Sequence, residues 1–279
     1  ARFRDEDLAD EWVKQSVSWM EEKQNDSFFL FFSSHDIHVP RIPHERFQGK
    51  TSLGYRGDAI VQLDWCVGEL MKALDRLELT EKTLVVFCSD NGPVMDDGYK
   101  DGALKKRGQH IAAGPYSGGK YSVYEGGTRT PFITRWPGRI NPGISEEIVC
   151  TIDLAASVAA MTGVTLAPED CIDSHDIMDA LLGKQDAKGR AHLIQQDNGK
   201  GGNYGYRVGD WKLQRHDSKK ARNVVVEKPL VNTKVKQYRL YNLAQDPSES
   251  TDVIDQYTNI AELMIKELQK HIDAGRTRS

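Results

Sequence analysis

No apolar run in this sequence approaches the ~20 residues that cross a bilayer; the longest strongly apolar stretch is Phe28 to Phe32. The opening residues, ARFRDEDLADEW, lack the apolar core of a secretory leader, so no spanning or anchoring segment is expected. The four cysteines (Cys66, Cys88, Cys150, Cys171) include no C-x-x-C pair. That excludes a zinc ribbon or a thioredoxin-type motif and leaves the redox compartment open. Charge of one sign is missing too. With 37 Lys+Arg against 41 Asp+Glu, the formal net charge is −4, and a nucleic-acid partner has no electrostatic basis. Internal repeats and low-complexity tracts are absent.

What is present is an ordinary globular composition, 39% hydrophobic and 28% charged, in a chain of 279 residues. Leu8, Trp12, Val13, Val17 and Met20 recur at helical spacing within residues 5 to 23, with acids at the start where the helix dipole favours them. FFLFF then reads as a strand apolar on both faces. From Gly54 a second helical stripe runs through Ile60, Leu63, Cys66, Val67, Leu70, Leu74 and Leu77, and TLVVFCS follows as a strand. The alternation predicts an α/β fold with a mostly parallel sheet flanked by helices, whose sites lie just past the strand ends.

Residues 94 to 128 have little periodicity, and TPFITRWPG resolves into another strand. TIDLAASVAAMTG and SHDIMDALLG predict helices that stop at glycine. Past about residue 187, AHLIQQ, YGYRVG, WKLQRH and YRLYNL predict a small antiparallel sheet. A closing helix over 256 to 273 would seat Ile260, Leu263, Met264, Glu267, Leu268 and Ile272 against it. The expected organisation is an α/β portion over 1–186 and an antiparallel-sheet subdomain with its helix over 187–279.

Three segments carry chemistry. In Ser89-Asp90-Asn91-Gly92-Pro93, an ionised Asp beside an Asn amide oxygen suits a hard cation, Ca²⁺ or Mg²⁺, and the same residues equally suit an Asx turn. In Ser33 to Pro40, His35 and His38 are three apart after a strand, placed for a metal, for general-acid work or for a hydrogen-bonded cap. In Gly118 to Pro131, flanking glycines allow close backbone approach to a ligand, and Lys120 can neutralise an anion; the alternative is a solvated basic loop. The spacing is not that of a nucleotide P-loop.

In this order and spacing the three segments resemble the sulfatase family of the alkaline-phosphatase superfamily. FFLFFSSHDIHVP is similar to the family's strand and H-x-P segment, VVFCSDNGP to its D-N-G segment, and GGKYSVYEGGTRTPFITRWPG to its G-K-x-x-x-x-E-G-G-x-R-x-P signature. TIDLAASVAAMTG, VGDWKL and YRLYNLAQDPSES resemble further family motifs, so the likeness runs over nearly the whole chain. The resemblance implies a sulfuric ester hydrolase in which Asp90 and Asn91 ligate Ca²⁺. It further implies that Lys120 contacts the sulfate and His38 protonates the leaving oxygen, with His35 either structural or a substitute for His38. Arg107 and His110, in the loop DDGYKDGALKKRGQHIAAGP, match the variable segment from which relatives draw substrate contacts. That loop also holds Asp96, Asp97, Lys100, Asp101, Lys105 and Lys106, and its polarity suits a carbohydrate sulfate better than a steroid.

These roles also fit the reaction itself. Charge developing on sulfuryl oxygens calls for a divalent cation and a fixed ammonium, and a departing alkoxide calls for a proton. One feature departs from the family. Its nucleophile, a formylglycine made within a C-x-P-S-R motif, has no counterpart, because the four cysteines lead into CVGEL, CSDNG, CTIDL and CIDSH. The expectation is therefore a chain that needs an N-terminal part to complete its site and is inactive alone. A superfamily phosphatase or phosphodiesterase, with Ser or Thr nucleophile and two zinc ions, and a non-catalytic sulfatase-like binding protein are the alternatives. The resemblance also implies an exported protein, periplasmic, secreted or lysosomal, in which Cys150 and Cys171 either pair or remain thiols.

Overall fold

The structure is a computed structural model that describes residues 4–95, 98–197, 202–216 and 234–278. The chain divides into two compact units: Ala1–Leu84 with Met95–Ala112, and Val85–Val94 with Ala113–Ser279. These units cut the chain differently from a boundary at residue 187, because residues 113 to 186 pack together with the antiparallel sheet that follows them.

The first unit is built on two helices, α1 (Leu8–Lys23) and α2 (Tyr55–Arg76), with one further turn of helix, α3 (Ala103–Lys106). Ala9, Val13 and Cys66 are buried together, with Val17, Phe32 and Trp65 packed around them. The N-terminal turns of α2 bury polar residues, not the predicted apolar stripe: Asp58 and Gln62 are inaccessible, whereas Ile60, Leu63, Val67 and Leu70 are half-buried. The reason is local hydrogen bonding. Asp58 accepts from the backbone N–H groups of Gly49 and Thr51 (both 2.9 Å), and Gln62 accepts from His44 N–H at 2.8 Å while donating to Asp36. Both side chains thus fix the connection between the helices.

The FFLFF segment has no ladder partner among the described residues. Its period-two pattern survives without pairing: Phe29 and Phe31 are 73% and 78% exposed, and Phe28, Leu30 and Phe32 are half-buried. A strand is defined by the neighbour that takes its N–H and C=O groups, and composition alone does not supply one.

In the second unit, β1 (Val85–Cys88) pairs antiparallel with β2 (Phe132–Arg135). A turn of helix, α4 (Glu125–Thr128), precedes β2. Helices α5 (Asp153–Met161) and α6 (Met178–Leu181) follow, ahead of the meander β3 (Leu193–Gln196), β4 (Tyr204–Val208), β5 (Trp211–Arg215) and β6 (Tyr238–Asn242). Every described strand pair is antiparallel, so the mostly parallel sheet expected from the alternation is not seen among the described residues.

The meander is covered on both faces. Tyr206, Leu213 and Leu240 pack against Ala261, Met264 and Leu268 of α7 (Thr258–Ala274). These three helix residues lie on one stripe, and the predicted Leu263 falls off it, 66% exposed. The opposite face of the meander carries Gln195, Gly205, Lys212, Gln214 and Tyr241, all buried. Against it lie Val123, Tyr124 and Glu125: a Cβ on Gly205 would come within 3.2 Å of Val123 O, and Arg239 donates to the Tyr124 hydroxyl at 2.9 Å.

Candidate active site

The turn after β1 and the glycine loop before β2 are brought together by the pairing of the two strands. Gly92 N–H donates to Gly127 O at 2.8 Å, Lys120 N–H donates to Pro93 O at 3.0 Å, and the Thr130 hydroxyl donates to Ser89 O at 3.1 Å. A Cβ on Gly92 would overlap the carbonyl oxygen of Gly126, and one on Gly126 would overlap Ser117 O, so the backbones meet only because both residues are glycine. The turn holding Asp90 and Asn91 and the loop holding Lys120 therefore form one piece.

Within that piece the side chains of Asp90 and Asn91 are oriented by local hydrogen bonds. Asp90 Oδ1 accepts from Asn91 N–H at 2.9 Å, which leaves Oδ2 as a donor to metal. Asn91 Nδ2 donates to Gly92 O at 2.9 Å, and since a carbonyl only accepts, this fixes the amide orientation and turns Oδ1 away from the backbone. An exposed carboxylate and a neutral carbonyl match Ca²⁺ chemistry, but two oxygens fall short of the six to eight that Ca²⁺ takes. No group of three or more His, Cys, Asp or Glu that could hold a metal occurs among the described residues. The present residues fit part of a cation site.

Lys120 sits between two buried glycines and Tyr121, whose ring its ammonium overlies at 5.3 Å. Tyr121 has φ +80°, a left-handed backbone that a bulky residue adopts only when its surroundings impose it. Such a residue holds about 1–3 kcal/mol of strain. The imposing contacts are close by: Ser122 Oγ bonds Gly119 O at 2.9 Å, and Gly126 N–H bonds Ser117 O at 2.8 Å.

His38 and His35 belong to the other unit. His38 Nδ1 lies 2.7 Å from Val39 O, and since a carbonyl only accepts, Nδ1 carries the hydrogen. His35 instead packs edge-on to Trp12 at 4.9 Å, with its Nε2 3.7 Å from Asp36, so it serves the seam with α1. Burial raises the Asp36 carboxyl above its usual range, and hydrogen bonding from Gln62 and the charge of His35 oppose the rise. Arg107 and His110 stand exposed after α3, with His110 N–H bonded to Arg107 O at 2.9 Å. Asp96 and Asp97 lie outside the described residues. All four cysteines are free, so Cys150 and Cys171 are not bonded.

The sequence reading missed a buried ionic cluster under the glycine loop. Lys212 Nζ, with no exposed side-chain surface, lies 2.8 Å from Glu125 Oε1 and 3.1 Å from Glu249 Oε1. Glu249 Oε2 accepts from Glu125 N–H at 2.6 Å, and its Oε1 accepts from Gln214 Nε2 at 2.7 Å. Arg207 and Arg129 approach Glu125 from the rim at 3.5 and 3.6 Å. Burial pushes the Glu125 carboxyl up, but Lys212, Arg207 and Arg129 together bring it below its usual range; Glu249, more buried and beside Glu125, is raised. Its three residues come from the E-G-G, D-W-K-L and D-P-x-E motifs. The available signal was Lys212 alternating with Leu213 on a short strand, a charge on a face that proves to be covered.

Comparison with known proteins gives this geometry its context. Residues 2–164 match the sulfatase family profile, and residues 118–277 match the profile described as N-sulphoglucosamine sulphohydrolase, C-terminal. The chain is 40% identical over 278 residues to an N-acetylgalactosamine-6-O-sulfatase of Bacteroides thetaiotaomicron, aligning 100% of this chain with 53% of the relative. It is 31% identical over 243 residues to human arylsulfatase A, covering 84% of this chain and 45% of that protein. A solved structure described under the metabolism of glycosaminoglycans by B. thetaiotaomicron aligns with TM-score 0.88 and 38% identity over 97% of this chain and 55% of that one. A Pseudoalteromonas sulfatase shares the fold, with TM-score 0.80 at 23% identity over 96% of this chain and 53% of that one. The chain thus spans about half the length of the curated relatives it matches. The sulfatase profile covers more than half of the chain and takes in both the D-N-G turn and the Lys120 loop, and on that ground the chain belongs to the sulfatase family.

Proposed function

We propose that the chain carries part of the active site of a Ca²⁺-dependent sulfatase acting on a carbohydrate sulfate ester. The observation that carries this reading is the coupling of the Asp90–Asn91 turn to the Lys120 loop through Pro93 and Gly127. It joins the segments that carry the proposed oxygen ligands and the proposed sulfate-binding ammonium, both of which a sulfuryl group requires. The glycan preference is supported by the likeness to the N-acetylgalactosamine-6-O-sulfatase and by the polar loop around Arg107 and His110.

Bound at Asp90 and Asn91, Ca²⁺ (or Mg²⁺) would supply Lewis-acid polarisation of the sulfuryl oxygens. Lys120 binds a sulfuryl oxygen and neutralises charge that grows as the S–O bond lengthens. His38, its Nδ1 engaged by Val39 O, gives the Nε2 proton to the departing alkoxide. Arg107 and His110 contact the sugar. The nucleophile, a formylglycine by family resemblance, lies outside residues 1–279, since no cysteine here stands in its motif. The complete protein works in an exported compartment; no described helix is long and apolar enough to cross a membrane.

The test is sulfate release from N-acetylgalactosamine 6-sulfate and from nitrophenyl sulfate by the polypeptide that joins residues 1–279 to its formylglycine-bearing part. Lys120→Ala is expected to slow both substrates by about 10²-fold. His38→Ala is expected to slow the sugar sulfate more than the aryl sulfate, whose phenolate leaves without a proton. Phosphate esters turned over in preference to sulfate esters would overturn the reading, as would a Ca²⁺-loaded protein that releases no sulfate.

A further inference from the structure

The covered charged face of the meander has a consequence for the lysine loop. Every link between the two lies within the second unit. Lys212 and Gln214 project from β5 to Glu125 and Glu249, and Glu249 holds the backbone N–H of Glu125 at the first residue of α4. One residue on, Gly126 N–H bonds Ser117 O, on the near side of Lys120, and then Gly127 O receives Gly92 N–H beside the Asp90–Asn91 turn. Gln195 Nε2 on β3 adds a bond to Thr128 Oγ1 at 2.5 Å. Glu249 itself has φ +54°, a backbone that a glutamate takes up here with three partners converging on its carboxylate: Lys212, Gln214 and Glu125 N–H.

The two carboxylates and the one ammonium are all inaccessible to solvent, so their geometry cannot relax by recruiting water. Removing the ammonium leaves two like charges facing each other at the base of α4, and the first contact to give is the one Glu249 makes to Glu125 N–H. Loosening that bond frees Gly126 and Gly127, and with them both ends of the loop that carries Lys120.

We propose that Lys212, on the C-terminal sheet, is a positioning residue for the Lys120 loop and the Asp90–Asn91 turn, acting through Glu125 and Glu249. Its catalytic consequence rests on the sulfatase reading above, whereas its structural consequence does not. Lys212 reaches no substrate. It sets the register in which the glycine loop lies across the turn, so a sheet remote in sequence from the signature motif determines where the ammonium of Lys120 stands.

The experiment is amide hydrogen exchange on the purified chain, native and Lys212→Met, read by mass spectrometry. Exchange in residues 117–127 and 89–93 is expected to rise by about tenfold or more, with α5 unchanged. A rise confined to the β4–β6 peptides would overturn the proposal, because it would mean that Lys212 serves only its own sheet. Arg207→Met, which removes the 3.5 Å rim contact to Glu125 together with a hydrogen bond to Gly209 O in the turn after β4, is expected to raise exchange about two- to threefold in residues 117–127 and 89–93; it decides the matter alone if Lys212→Met does not fold. In the sulfate-releasing polypeptide, folded Lys212→Met is expected to lose about tenfold or more in kcat with a smaller change in KM, since misplacement weakens transition-state contacts most. Native kcat from that variant overturns the proposal. A fully active Lys120→Ala would instead overturn the sulfatase reading and leave the exchange result standing.

Discussion

The two faces of the meander are covered by opposite chemistries. One meets α7 through Tyr206, Leu213, Leu240, Met264 and Leu268, an apolar seam that stabilises in proportion to buried area and tolerates adjustment. The other meets the glycine loop through Lys212, Gln214, Glu125 and Glu249, where each atom has an assigned partner and direction. Buried ion pairs add little net stability against a hydrophobic replacement, yet breaking one is costly. The apolar face therefore holds the helix on. The charged face meets one loop, and that loop carries Lys120, the proposed sulfate-binding residue.

Breaking the charged face is expected to give the largest effect. Lys212→Ala leaves two buried carboxylates facing each other, at about 3–5 kcal/mol. Pairing it with Glu249→Gln removes one of the two charges and should recover part of the loss in the denaturant midpoint. Equal midpoints for the single and double variants would mean that the cost is packing alone. On the apolar face, Leu240→Ala should cost about 2–4 kcal/mol, but without the tenfold rise in exchange at residues 117–127 that marks the charged face.

This contrast also separates what was legible in the sequence from what was not. The four meander strands, α5, α6 and α7 follow from local periodicity and glycine stops, and each appears within a few residues of its expected place. The D-N-G turn and the Lys120 loop stood out in the sequence because Asp, Asn, Gly and Lys in that order restrict what the backbone and side chains can do, and the structure joins the two segments. The FFLFF strand was misread because pairing depends on a partner that composition does not name. The Glu125–Lys212–Glu249 cluster was missed for a related reason: its members are 87 and 37 residues apart in sequence, and a charge in a strand normally reads as a solvated face.

A smaller effect comes from pH. His192 stacks on His271 at 4.4 Å beside α7, with Tyr206, His175, Arg190 and Glu267 around it. Burial lowers its pKa to about 4, helped by His271, Arg190 and His175 and opposed by Glu267. The folded state then binds the proton less readily than the unfolded chain, so stability is complete above the unfolded value near 6.5 and falls as pH drops from there towards 4. A fully transmitted shift would carry ~3 kcal/mol; with the ring half-buried, screening reduces this to ~1–2 kcal/mol. Unfolding midpoints at pH 7.5 and 5 should differ less in His192→Phe than in the native protein, and an undiminished difference would assign the pH response elsewhere.

The smallest effect tests the limit of the apolar face. Leu263 has the spacing of a core residue, and periodicity alone puts it with Met264 and Leu268. The structure leaves it 66% exposed, about 100° around the helix from Met264, on the side away from the meander. Leu263→Ala should therefore change stability by no more than ~0.5 kcal/mol, since little apolar area returns to water and alanine favours the helix slightly. Leu268→Ala, from the buried stripe, should cost about 2–4 kcal/mol. The two substitutions are chemically identical, five residues apart on one helix, so propensity cancels and only the cover differs. Equal losses at the two positions would mean that α7 has a second apolar neighbour, and the seam with the meander would then be one of two.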